Sequence, residues 1–136
     1  MENIQNKMKE LFGGSCYGYC LAYLFGDVGS VSSIKYLTSC FLEGWRRGWV
    51  DDDGYVSSPL AYIQLICGTK YMDIEKVTLK SFKELPDGKW IVEMECPSGG
   101  SHFVVTNNKG ELLFDPSGVS NSWKNGKFIS YRKFIQ

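Results

Sequence analysis

A chain of 136 residues with fifteen basic and fifteen acidic side chains and a pI near 6.6 has the size of one domain that buries about 65 to 70% of its unfolded surface. Its balanced charge argues against a nucleic acid or an anionic membrane as partner. No apolar run approaches the roughly 20 residues that span a bilayer, and the polar start Met1-Glu2-Asn3-Ile4-Gln5-Asn6-Lys7 lacks a secretory core, which predicts a soluble, cytoplasmic protein.

Residues 2 to 12 place Ile4, Met8, Leu11 and Phe12 at helical spacing, so an amphipathic helix is predicted there, stopped by Gly13-Gly14. Ser15 is placed to cap a second helix, whose run from Tyr17 to Phe25 is apolar nearly all round and which Gly26 ends. Such a helix belongs at the centre of the core. Gly18 lies inside it at a cost of about 0.5 to 1 kcal/mol relative to Ala, which predicts a strand or a substrate close to its backbone. Ser32-Ser33 opens a third helix with Ile34, Leu37, Phe41 and Trp45 on one face, closing near Gly44 and leaving Arg46-Arg47 in solvent. The segment from Trp49 to Val56 invites a calcium reading through Asp51-Asp52-Asp53-Gly54. The EF-hand pattern, however, needs a ligand where Tyr55 stands and a later acid that is missing, and an Asp-Gly turn accounts for the run. Ser58-Pro59 caps and starts a fourth, short helix ending at Gly68.

From about residue 74 the hydrophobic period becomes two, in Ile74 to Phe82, Lys89 to Glu95, two runs around residues 101–115, and Lys127 to Phe134. Pro86-Asp87-Gly88 and Asn125-Gly126 supply turns. Helices first and strands afterwards predict a single α+β domain over residues 1–136, its central helix packed on a C-terminal antiparallel sheet.

The two runs around residues 101–115 form the predicted hairpin: Ser101-His102-Phe103-Val104-Val105-Thr106, the turn cluster Asn107-Asn108-Lys109-Gly110, then Glu111-Leu112-Leu113-Phe114-Asp115-Pro116. A turn centred between Asn108 and Lys109 sets Thr106 against Glu111, Val105 against Leu112, and His102, the only histidine, against Asp115. Directly opposed Cβ atoms lie about 4.5 to 5.5 Å apart, within reach of an imidazole–carboxylate hydrogen bond. A three-residue loop with a bulge would instead shift the register by one and put the two on different faces.

A base oriented by an acid needs a nucleophile, and Cys16 stands at the start of the central helix. A cysteine attacks as thiolate, a form favoured by a helix N-terminus and by a neighbouring imidazolium. Cys16 is thus the candidate nucleophile, His102 the base and Asp115 the orienting acid, with the Cys16 backbone N–H as an oxyanion donor. Cys20 lies one turn further in, where the dipole helps less, and Cys40, Cys67 and Cys96 read as packing residues. Five cysteines at dispersed positions argue against a disulfide framework and predict reduced thiols. A Cys16/Cys20 pair with a lone histidine lacks zinc spacing, so neither metal nor cofactor is expected. The aromatics Tyr17, Tyr19, Tyr23, Trp45, Trp49, Trp90 and Trp123 read as core and rim, with one or two lining a groove near Cys16.

A Cys heading a buried helix, a Gly-Ser-His-Phe-Val-Val strand and a Phe-Asp-Pro closing the next strand together resemble the papain-like cysteine peptidase fold. The likeness is to the minimal form seen in bacteriocin-leader (double-glycine) peptidase-like domains. The Gly48-Trp49-Val50 and Asp53-Gly54-Tyr55-Val56 stretch before a short helix is similar to the middle of those domains. The resemblance covers nearly the whole chain and implies a helical half facing a sheet half, a Cys16–His102–Asp115 triad and a peptide or protein substrate. Members commonly carry a Gln six residues before the nucleophile to complete the oxyanion hole; here Glu10 stands there, and Gln5 or Asn6 is the substitute. The expected activity is a thiol hydrolase of peptidase type. The triad leaves open an acyltransferase or transglutaminase chemistry, and Glu10 leaves open a binding module that has lost efficient catalysis.

Overall fold

The computed structural model describes residues 16–26, 34–51, 55–118 and 120–136. The predicted helix over residues 2 to 12, the Ser15 cap and the Asp-Gly turn lie outside them.

The first described helix, α1 (Cys16–Phe25), contains no charged residue, and a helix without a polar face is stable only when covered on all sides. Tyr19, Cys20, Leu21 and Ala22 are accordingly fully buried. Gly26 closes the helix through its N–H to the Ala22 carbonyl at 3.0 Å. Helix α2 (Ile34–Arg46) sends Phe41 into the core, whereas Trp45, expected on the same face, is half exposed. The side chains of Ile34 and Leu37 are not among those described. Gly44 does not end this helix. It lies inside it, where a Cβ would come within 2.9 Å of Val50 and 3.0 Å of Tyr62, and the helix runs on to Arg46. Arg46 and Arg47 are in solvent as expected, both bonded to Glu43.

Helix α3 (Pro59–Cys67) starts on Pro59 and ends at Gly68 in the left-handed conformation, φ +77°. The proline ring presets the first turn, but Ser58 makes no side-chain cap bond, contrary to its predicted role. The link from α2 to α3 is pinned by the Val50–Val56 bridge, with Asp51 N–H on the Tyr55 carbonyl and Tyr55 N–H on Asp51 Oδ1, each at 2.9 Å.

Five antiparallel strands follow: β1 (Asp73–Thr78), β2 (Lys89–Glu95), β3 (Ser101–Asn107), β4 (Leu112–Phe114) and β5 (Lys127–Ile135), ordered β1-β5-β2-β3-β4. The predicted first strand stops at Thr78 instead of Phe82. Residues Phe82–Glu84 turn into a short 3-10 helix, fixed by the Lys80 N–H on the Glu84 carboxylate and by Phe82 edge-on to Trp123 and Phe128. A fourth helix, α4 (Asn121–Asn125), was not predicted; Ser120 caps it, accepting from the Trp123 N–H at 3.2 Å.

Alternating residues of the central strands bury on opposite faces. Ile91, Val105 and Phe114 join α1, α2 and α3 in one cluster. Val92, Val104 and Met94 join Leu85 and Tyr131 in another, with Phe82 and Trp123 packed over it. The protein is thus α+β as expected, its longer helices in the N-terminal half and an antiparallel sheet in the C-terminal half. None of its helices, among the described residues, is long and apolar enough to cross a membrane.

The close approach at Gly18 comes from Phe41 and Val56 and not from a strand of the sheet: an added Cβ would lie 2.7 Å from Phe41 Cζ and 2.9 Å from Val56 Cγ2. Both side chains are buried and cannot swing away. Overpacking costs about 1 to 3 kcal/mol, more than the 0.5 to 1 kcal/mol that Ala gains in a helix interior. Gly18→Ala should therefore lower the thermal midpoint by several degrees; an unchanged or raised midpoint in a melting curve would show that Phe41 relocates freely.

Candidate active site

Cys16, His102 and Asp115 converge although β3 and α1 are far apart in sequence. Asp115 Oδ1 receives His102 Nε2 at 2.7 Å, in a pair whose carboxylate is fully buried and whose ring is nearly so. Cys16 lies close enough to the ring to help raise its pKa. The Phe103 N–H donates to Cys16 Sγ at 3.3 Å, and the Cys20 thiol donates to the Phe103 carbonyl at the same distance. The Phe103 backbone thereby ties both cysteines of α1 to β3.

The register that brings His102 to Asp115 is not the predicted one. Asn107 pairs with Glu111 through its N–H, leaving a three-residue loop, Asn108 to Gly110. Gly110 there has φ +79°, and Asn107 Oδ1 accepts from the Lys109 and Glu111 N–H groups. Thr106 consequently faces Leu112, one place off. A second irregularity then sets Val105 against Phe114, two places off, with Leu113 as the extra residue. One shift would have reversed the face of Asp115 and the second restores it. The carboxylate then reaches His102 from the turn after β4, not from directly across the ladder.

That turn satisfies Asp115 completely. Its Oδ1 also accepts from the Ser117 N–H and its Oδ2 from the Ser120 N–H, each at 2.9 Å. Burial alone would raise the Asp115 pKa, but the bonds from His102, Ser120 and Ser117 hold it below its ordinary value. For His102, burial disfavours the charged ring, yet the bond to Asp115 and the nearby Cys16 raise its pKa from 6.5 to about 10. Burial, with the charges of Cys16 and Asp115 behind it, pushes the Cys20 thiol well up. Cys20 is therefore a hydrogen-bond donor and not a second nucleophile.

Comparison of the chain with protein-family models, curated proteins and solved structures found no match. Chemical inference about this protein therefore rests on its geometry.

The other predicted site features sort as follows. Gln5, Asn6 and Glu10, the oxyanion candidates and the departure, lie outside the described residues, while Cys16 is the first described residue of α1. All five cysteines are free. Cys40 is half-buried and Cys96 bonds to Ser122 Oγ at 2.8 Å, but Cys67, expected to pack, is exposed because it ends α3 just before the turn at Gly68. Among the described residues no group of His, Cys, Asp and Glu is arranged to hold a metal ion. Of the groove-lining aromatics, Tyr17 stands in a cleft of about 410 Å³ beside Cys16, together with Tyr55 and Phe103, which the sequence reading did not single out. It also missed Ser117 and Ser120. An Asp-Pro followed by small polar residues is the signature of a side-chain-capped turn and was available to find them.

The His102 and Asp115 shifts set the pH range over which this pair stabilises the fold. The raised His102 contribution is complete below about pH 6.5 and disappears as pH rises toward 10. The lowered Asp115 contribution is complete above about 3.8 and disappears as pH falls through its depressed value. The gap in melting temperature between the native chain and His102→Gln should be widest between about pH 4 and 6.5 and shrink on either side. A gap independent of pH would mean that the ring and carboxylate do not titrate as a pair.

Proposed function

We propose that the protein is a papain-like thiol hydrolase, most naturally a peptidase. One observation supports this above the others: a half-buried cysteine on a buried helix lies beside an imidazole whose Nε2 is held by a fully buried carboxylate. Nucleophile, base and orienter within hydrogen-bond reach of one another are the geometric mark of covalent catalysis.

In this reading Cys16 Sγ, as thiolate, attacks an amide carbonyl and a C–S bond forms. The carbonyl oxygen becomes an oxyanion, received by the backbone N–H of Cys16. The C–N bond then breaks, and His102 passes its proton to the departing amine. Water enters, gives a proton to His102 and attacks the thioester; the C–S bond breaks, releasing a carboxylic acid and returning the thiolate–imidazolium pair. Asp115 keeps its charge throughout and holds the ring turned toward the sulfur. The Phe103 N–H steadies the sulfur when it is anionic.

Alkylation by iodoacetamide across pH 4 to 9, with each site identified by mass spectrometry, tests the reading. Cys16 alone should react rapidly below pH 7, and His102→Ala should slow that low-pH reaction by about 10²-fold, since an ordinary thiol is then almost fully protonated. If Cys16 reacts only near pH 8.5, or no faster than exposed Cys67, the hydrolase reading fails.

A further inference from the structure

Among the described residues the cleft at Cys16 carries one cation. Arg132, on β5, lines it with Cys16, Tyr17, Tyr55, Phe103 and Pro59, and no carboxylate lines it among the described residues. The guanidinium lies over the Phe103 ring, 5.1 Å from its centroid, and Nη1 donates to Ser130 Oγ at 2.8 Å. Its side chain is 17% exposed. Stacking on an aromatic face while one edge stays free is a use of arginine that lysine does not reproduce.

Among the described residues the charge around Arg132 does not cancel. Its acidic neighbour is Glu93, with Oε1 at 3.6 Å from Nη1. That same carboxylate oxygen lies 3.4 Å from Lys76 Nζ and accepts from Ser130 Oγ, while its other oxygen accepts from Ser101 Oγ. One carboxylate thus faces two cations, leaving one positive charge over. Asp51, bonded to the Tyr55 N–H, is exposed and is not part of the cleft wall. Among the described residues Nε and Nη2 of Arg132 make no hydrogen bond. Tyr17 adds no negative charge, since burial pushes its hydroxyl up to about 12 against the pull of Arg132.

We infer that the cleft beside Cys16 is an acid-selecting subsite, in which Arg132 receives the carboxylate of a Glu or Asp side chain close to the bond attacked. This rests on the hydrolase reading and names the substrate class for that same site. The unused N–H groups of Arg132 offer two parallel donors to a carboxylate. Tyr17, Tyr55 and Phe103 cover the methylene stem, and Glu93 with Ser130 fixes the guanidinium from behind.

A panel of tetrapeptidyl acyloxymethyl ketones, carrying Glu, Gln or Lys at each position in turn, measures the preference through the rate at which Cys16 is modified, read by intact mass. At one position the Glu probe should react about tenfold faster than its uncharged Gln isostere, the scale of one charge-assisted contact. The Lys probe should be slowest, and added salt should reduce the advantage. Arg132→Gln should erase the preference, read as the ratio of Glu to Gln probe rates, and Arg132→Lys, which keeps the charge, should retain part of it. Peptide probes that label Cys16 with no advantage for Glu, or an advantage that survives Arg132→Gln, overturn the subsite and leave the hydrolase standing. Iodoacetamide labelling of Cys16 at low pH without labelling by any peptide probe overturns the peptide-substrate reading and the subsite with it.

Discussion

Helix α1 has no charged side chain and so must be enclosed. Helices α2 and α3 close one side, through Phe41, Tyr62 and Ile63, and the sheet closes the other through Ile91, Val105 and Phe114. Burial is complete over Gly18 to Ala22 and only partial toward both ends, and Cys16 sits half-buried with the cleft beside it. The requirement that covers the helix also presents Cys16 at the seam between helices and sheet. Gly18, two residues further in, is part of the same requirement, since only a residue without a Cβ lets Phe41 and Val56 close over this end.

The seam is polar where it meets β3. Buried polar groups are costly unless bonded, and several here are used twice. The Phe103 backbone serves Cys16 with its N–H and Cys20 with its carbonyl. Asp115 serves His102 with one oxygen and the turn that follows with both. Ser120 donates its N–H to Asp115 and caps α4 with its hydroxyl. A carboxylate so thoroughly bonded stays ionised in a buried place, and an ionised carboxylate is what keeps the imidazole turned and ready to hold a proton.

Glu93 repeats the arrangement one strand away. It is buried in β2 and takes hydroxyl bonds from Ser101 and Ser130, with Lys76 and Arg132 nearby. The two buried carboxylates divide the work in the proposed mechanism: Asp115 orients the ring that handles protons, and Glu93 sets the cation that faces the substrate. Neither touches the bond to be broken. A fold of this kind can carry many chemistries, so the side chains at the seam, rather than the layering of helices on sheet, give the functional reading its content.

Much of this was legible in the chain itself. An apolar run without charge locates α1, Pro59 and Gly68 bracket α3, and period-two runs locate β2, β3 and β5, because local periodicity and backbone preference are properties of neighbouring residues. The sole histidine on one strand and an acid after the next also marked His102 and Asp115 as partners. What the tertiary structure decided is how they meet. Two one-residue irregularities, at Gly110 and Leu113, cancel in their effect on facing, and no local pattern announces the second. Helix α4 is too short to show a period, and it forms where Ser120 is held by Asp115 and Trp123 packs on Phe82. Arg132 and Glu93 read as ordinary charges on strands until β5 and β2 pair and bring them together, Arg132 on the cleft wall and Glu93 behind it, because electrostatic balance depends on distances between residues the sequence keeps apart.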